Sequence, residues 1–362
     1  MRTSKHERIA DELLQGIRSG EFGEQDQLPS ERVLAERYKV TRATARRALG
    51  QLEEMGLVER RGAAGTIVRS GRTGEGSVAV SLICTAETRT VIDEFLHWGT
   101  YHVSRRNWSP RVVRLERHDE SHITRALAVG NPCLLFGEPV DFRPRGPLER
   151  QLRRARHRMV VVGTRMDHAG IASVVANDLK GMALALNRLA ENGHRRIALV
   201  TDNTPLEHPT LNIEYSTWRR GVAQFMSESD VRDHLIQVET TPYRSVALSA
   251  YEAVKLFLQS PKSKQTTALI CLDRELADGA AAAARDVHRP VPEQLSLIEY
   301  GGSTNWPLAF PLRDSVDVRV DRHIEVALQL LDLAMKRKLD PADCLRMIEP
   351  TLVVRGSVRR TG

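Results

Sequence analysis

The sequence predicts a small α+β winged helix-turn-helix followed by a larger α/β region built on parallel sheet. Three observations lead there. Residues 4–54 read as three short helices with turn residues between them, residues 58–68 alternate like a hairpin, and from residue 78 onward short β-rich runs alternate with helical segments. At 362 residues the chain exceeds one typical domain, so a small and a large unit are the natural division.

In the first region Ile9, Leu13 and Ile17 recur every fourth position among charged residues, one apolar stripe on an amphipathic helix that Gly20 and Gly23 end. In "QLPSERVLAERYKV" the order Pro29, Ser30 and then Leu34 and Tyr38 marks a second helix capped by the Ser30 hydroxyl. Thr41 caps a third. Ala45, Ala48, Leu49 and Leu52 fall on its inner side, small enough near the start to let a neighbour approach closely. Arg42, Ala43, Arg46 and Arg47 occupy the outer arc, and Gly56 stops the helix. "LVERRGAAGTIVR" follows as two strands, with β-formers Val58, Ile67 and Val68 either side of the turn Gly62–Gly65. The division expected is a head over residues 1–70, a polar Gly/Ser-rich linker over 71–77 and a body over 78–362.

The body offers seven candidate strands: "SVAVSLI", "RVVRLE", "PCLLFG", "RMVVVG", "RIALVT", "ALICLD" and "LSLIEYG". Periodicity leaves open whether they form one open sheet or two smaller ones facing each other across a cleft. The basic run "ERQLRRARHR", residues 149–158, lies between two of them and reads as a solvated crossover helix, because charge runs need no partner.

Composition narrows the function classes. No apolar run nears the roughly 18 residues of a membrane span, and the charged start "MRTSKHERIADELL" lacks a secretory signal, so a cytoplasmic protein without membrane contact is expected. Cys84, Cys133, Cys271 and Cys344 are scattered, and the twelve histidines show no ligand spacing, so neither metal nor cofactor is expected. The net charge of +7 favours an anionic partner without naming it.

Residues 28–68 closely resemble the DNA-binding domain of the GntR family of bacterial regulators, through L-P-S-E-R, then V-T-R-A-T-A-R, then G-L-V-E-R-R. The resemblance implies double-stranded operator DNA as the partner, with Arg32, Thr41, Arg42, Thr44 and Arg46 as contacts; Arg47 and, from the wing, Gly65 and Thr66 complete the candidate set. The wing tip departs from the family's Q-G-R-G, reading Gly62-Ala63-Ala64-Gly65, which limits minor-groove contact. Residues 78–358 look like a LacI-type effector domain, similar to periplasmic sugar-binding proteins, on the strength of residues 177–201, 289–302 and 348–358. This implies two α/β lobes with a ligand cleft between them, and the pairing resembles the arabinose-repressor subgroup.

The implied ligand positions depart from the family. Its R-x-x-G becomes Trp218-Arg219-Arg220-Gly221, its Asn-Asp becomes Asp273-Arg274, and an Asp becomes Gly301. Unmatched polar groups in a dry pocket cost about 1–3 kcal/mol each, so a sugar held in the family's usual way is not expected. Asp178, Trp218, Asp273, Arg274 and Trp306 are the effector candidates; Trp218 either stacks on a ring, closes the cleft or packs in the core. The function expected is a homodimeric, ligand-responsive repressor whose effector is a sugar or related metabolite. Two other readings stay in view: an α/β enzyme with a DNA-binding appendage, and a regulator whose body serves only dimerisation.

Overall fold

The computed structural model describes residues 5–19, 22, 26–54, 58–60, 65–68, 78–85, 90–115, 120–137, 147–206, 209–241, 244–302, 312–340 and 343–361. Gly20, Gly23 and Gly56, the wing tip 62–64, the linker 71–77 and Trp306 lie outside the described residues.

The head contains α1 (Lys5–Ser19), α2 (Glu31–Arg37), α3 (Arg42–Glu54), β1 (Val58–Arg60) and β2 (Thr66–Val68). The alanine-rich side of α3 is what the fold buries: Ala45, Ala48, Leu49 and Leu52 meet Ile9 and Leu13 of α1 and Leu34 of α2 in one core. Ser30 caps α2 by accepting from the Val33 N–H, and Thr41 caps α3 by accepting from the Thr44 N–H. Between them the chain turns through Lys39 at φ +50°. The Lys39 N–H donates to the Glu36 carbonyl and the Val40 N–H to the Ala35 carbonyl, which closes α2 in the way glycine usually does. The hairpin pairs Val58 with Val68 and Arg60 with Thr66. A segment before α2 joins it, since the Leu28 N–H donates to the Thr66 carbonyl and the Val68 N–H to the Asp26 carbonyl.

The body runs β3 (Ala79–Thr85), α4 (Thr90–Arg105), β4 (Ser109–Leu115), α5 (Glu120–Ala128), β5 (Cys133–Phe136), α6 (Pro147–Ala155), β6 (Met159–Val162) and β7 (Ala172–Ala176). It continues through α7 (Asp178–Glu191), β8 (Ile197–Asp202), α8 (Pro209–Val222), α9 (Glu228–Asp233), β9 (Leu235–Val238), α10 (Val246–Gln259), β10 (Ala268–Cys271), α11 (Arg274–Asp286) and β11 (Ser296–Gly302). Last come β12 (Asp314–Asp317), α12 (Val320–Met335), β13 (Leu345–Ile348) and β14 (Thr351–Val353).

These strands make two six-stranded sheets, ordered β13-β7-β6-β5-β3-β4 and β14-β12-β11-β10-β8-β9. The question that periodicity left open is answered by the two-sheet arrangement. All recorded pairings are parallel except the edge pair β12–β14. The chain passes from one lobe to the other at Asn177, returns at Val318–Arg319 so that α12 packs in the first lobe's core, and crosses again at Glu349–Pro350.

Seven of the twelve body strands match the runs singled out from sequence. The other five are β7, β9, β12, β13 and β14, and polarity disguises some of them. In β12 the fully buried Asp314 bonds Arg188 at 2.9 Å and accepts from the N–H groups of Arg355, Gly356 and Ser357, so a charged residue sits in a sheet at little cost. The basic run 149–158 forms α6 and the turn after it. Leu148 and Leu152 are buried, Arg153 pairs with Glu149, and Arg158 caps the carbonyls of Leu127 and Asn131.

Candidate nucleic-acid interface and effector cleft

Thr41 at the cap of α3, and Arg42, Ala43, Arg46 and Arg47 on the helix, are exposed, opposite the side that packs into the core. Among the described residues, Arg42 and Arg47 have no recorded hydrogen bond or ion pair. Their forked donors are open for phosphate oxygens or a guanine edge. Arg46 is different. Its Nε donates to both Glu31 oxygens, at 3.0 and 3.1 Å, and this bond holds the Glu31 carboxyl below the usual range. Arg60 completes a lattice: it donates to the Arg46 carbonyl at 2.9 Å and pairs with Glu53 at 3.0 Å and Glu31 at 3.6 Å. The lattice ties α2, α3 and β1 together and fixes where the Arg46 fork points. Sequence reasoning missed Glu31, Glu53 and Arg60, although an acid directly after the Ser30 cap is a visible signal.

Arg32 lies exposed on α2 and pairs with Glu36 four residues on, at 2.9 Å. The Thr41 and Thr44 hydroxyls sit 2.9 Å apart. Gly65 takes φ +76°, and a Cβ there would collide with the Gln27 side-chain amide, so the hairpin requires glycine at this point. Thr66 departs from the expectation of an open wing contact: its side chain is buried and its carbonyl accepts from the Leu28 N–H, which ties it into the sheet.

In the body, ligand sites of parallel α/β folds form beyond the carboxyl ends of strands. There Asp178 opens α7, and Tyr300 near the end of β11 donates its hydroxyl to the Asp178 carboxylate at 2.9 Å. Gly181 permits this approach, since a Cβ at that position would meet the Tyr300 hydroxyl. Burial pushes the Asp178 carboxyl up to about 6, against the lowering influence of the Tyr300 bond. Burial also raises the Tyr300 phenol, with Asp178 and Glu214 adding negative charge beside it. The first and third crossovers are stapled together here: Asn177 donates to Glu349 at 2.9 Å and Lys180 pairs with Glu349 at 2.5 Å.

Asp273 caps α11 by accepting from the Leu276 N–H at 2.7 Å, with Arg274 beginning the helix; both are partly exposed. Gly301, at φ +80°, has open space where a Cβ would stand. Trp218 is a correction: it is 0% exposed, packed among Met182, Leu199 and Ile270, and its Nε1 donates to the Ile197 carbonyl at 3.2 Å. Its position on α8 faces the sheet, so it supports the lobe rather than stacking on a ligand.

The fold and its exposed basic helix define a two-module molecule: a winged helix-turn-helix head and a two-lobed parallel α/β body. A family model described as bacterial regulatory proteins, gntR family, matches residues 5–68, and one described as a periplasmic binding protein-like domain matches residues 186–358. The chain thus carries a GntR-type head on a periplasmic-binding-protein-like body. It is similar to the arabinose metabolism transcriptional repressor of Geobacillus stearothermophilus, 22% identical over 374 residues and covering 98% of each chain. Its body shares the fold of a LacI family transcriptional regulator from Enterococcus faecium with bound ribose: TM-score 0.60, 16% identity, 78% of this chain and 100% of that one. The lac repressor dimer bound to operator and the anti-inducer ONPF gives TM-score 0.63 and 15% identity, covering 79% of this chain and 96% of that one.

Proposed function

We propose that this protein is a sequence-specific DNA-binding transcription regulator, a repressor acting as a homodimer in the cytoplasm, whose operator occupancy is set by a small molecule in the cleft of its body. One observation carries the reading: α3 exposes Arg42 and Arg47 unpaired among the described residues, with Arg46 held in register by Glu31. Two such helices, presented by a dimer, read half-sites one helical turn apart. The names of the relatives support repression, and the lac repressor complex supports a dimer on operator DNA.

For the effector, Asp178, Tyr300, Asp273 and Arg274 are the polar groups proposed to meet the ligand, and a hydroxylated metabolite suits them. Ligand that prefers one closure of the lobes shifts the spacing of the heads, through different affinity for the two states. Thermal unfolding of the full chain with a panel of sugars and related metabolites tests this, followed by DNA binding with any compound that stabilises. A stabilising compound recovered unchanged that alters DNA affinity supports regulation. Turnover of the compound favours an enzyme, and a flat response across the panel favours a body that serves dimerisation alone.

A further inference from the structure

The second lobe has a cavity at the end of its sheet away from the cleft. It measures about 500 Å³ and is lined by the end of α10, the turn over Ser263–Thr267 that leads into β10, the segment 289–294 that leads into β11, and Arg359. Its wall carries Lys264, Arg289 and Arg359 against one carboxylate, Glu293.

Neutral acceptors hold the two arginines. Arg289 donates to the Ser263 carbonyl at 3.2 Å and to the Thr266 carbonyl, and Arg359 donates to the Gln294 carbonyl at 3.3 Å. Carbonyls satisfy N–H groups but cancel no net charge. Among the described residues none of the three cations forms an ion pair, with Glu293 or with any other carboxylate, and the buried Arg359 Nε has no acceptor. Both arginines line the same cavity, and burial, and then the neighbouring Arg359 charge, lower the Arg289 pKa.

A fold that brings two half-buried guanidiniums and a lysine to one hollow, without carboxylates to match, is relieved by a multivalent anion. A monocarboxylate cancels one charge; a phosphate group brings up to two and fits the guanidinium fork in a bidentate way. The volume lies within the range of about 300–1,000 Å³ that holds small organic ligands, so it admits more than a bare ion. We propose that this cavity is a second ligand site, separate from the interlobe cleft, that takes a phosphate-bearing small molecule.

The test is thermal unfolding of the full chain without DNA, titrated with pyrophosphate and, separately, with sodium chloride at matched ionic strength. Pyrophosphate is expected to raise the Tm while chloride does not. Arg359→Gln weakens the apparent pyrophosphate affinity about tenfold, the loss of one charge-assisted bond. Lys264→Gln, at an exposed position that bears on no packing, weakens it by a smaller factor, about threefold. Arg42→Ala leaves the response intact, which separates this site from the DNA-facing helix. An equal rise with chloride, an undiminished response in both Arg359→Gln and Lys264→Gln, or loss of the response in Arg42→Ala overturns the proposal. An equal rise with citrate overturns the phosphate assignment.

Discussion

The Arg46 guanidinium grips both carboxylate oxygens of Glu31, at 3.0 and 3.1 Å, and so joins the outward face of α3 to the first turn of α2. An exposed pair of this kind contributes little stability, typically under about 1 kcal/mol. Its effect lies in orientation. Glu31→Gln is expected to leave the unfolding midpoint within about a degree or two, to strengthen binding to random DNA by removing a negative charge, and to lower the ratio of selected-site to random-site affinity. Fluorescence anisotropy on both DNAs measures this, and an unchanged ratio contradicts the orienting role.

Arg42 stands at the start of α3 with no recorded partner among the described residues. Arg42→Ala should cost about 1–3 kcal/mol on the selected site and relax preference at one position. Competition against single-base variants of that site distinguishes the outcomes: an equal loss on every variant reduces Arg42 to a phosphate contact.

Trp218 is fully buried and bonded to the Ile197 carbonyl. Trp218→Phe removes that donor and some volume, and should lower stability by about 1–3 kcal/mol while leaving the ligand response of the body unchanged. Urea unfolding together with the metabolite panel checks both halves. Unchanged stability with altered ligand selectivity would restore Trp218 to the cleft.

Much of the head was legible in the sequence, because its signals are local. The Ser30 and Thr41 caps, the alanine side of α3 and the hairpin all depend on residues within a few positions of one another. The lattice of Arg46, Glu31, Arg60 and Glu53 was not legible, since it joins groups up to 29 positions apart. The body divides in the same way. Apolar runs such as β10 announce themselves, whereas β12 hides behind Asp314, which Arg188 and backbone N–H groups of residues 355–357 satisfy. The ion pairs of the buried Arg313 with buried Glu299 at 2.7 Å and with exposed Asp278 at 2.7 Å were equally silent. Trp218 shows the limit of resemblance: the motif left core packing, cleft closure and ring stacking open, and only the packing of its side chain against Met182, Leu199 and Ile270 chooses the core.

Asp178 makes a prediction in pH. Its folded pKa of about 6 stands above the ordinary Asp value of about 3.9, so the folded chain holds this proton more tightly than the unfolded chain does. Ionisation between those values costs stability, fully so above pH 6. Asp178→Asn removes the cost and keeps an acceptor for Tyr300. The variant should gain about 1 kcal/mol on the wild type at pH 7.5, less at pH 5. Chemical unfolding at the two pH values measures the difference, and a gap that does not change with pH contradicts the assignment.

Whether this basic helix reads DNA sequence is decided by selecting bound fragments from a random double-stranded pool with the full chain. Enrichment of two related half-sites in twofold symmetry, about one helical turn apart, lost on Arg42→Ala, is the expected result. No enrichment, even at low salt where attraction to phosphates is strongest, would contradict it.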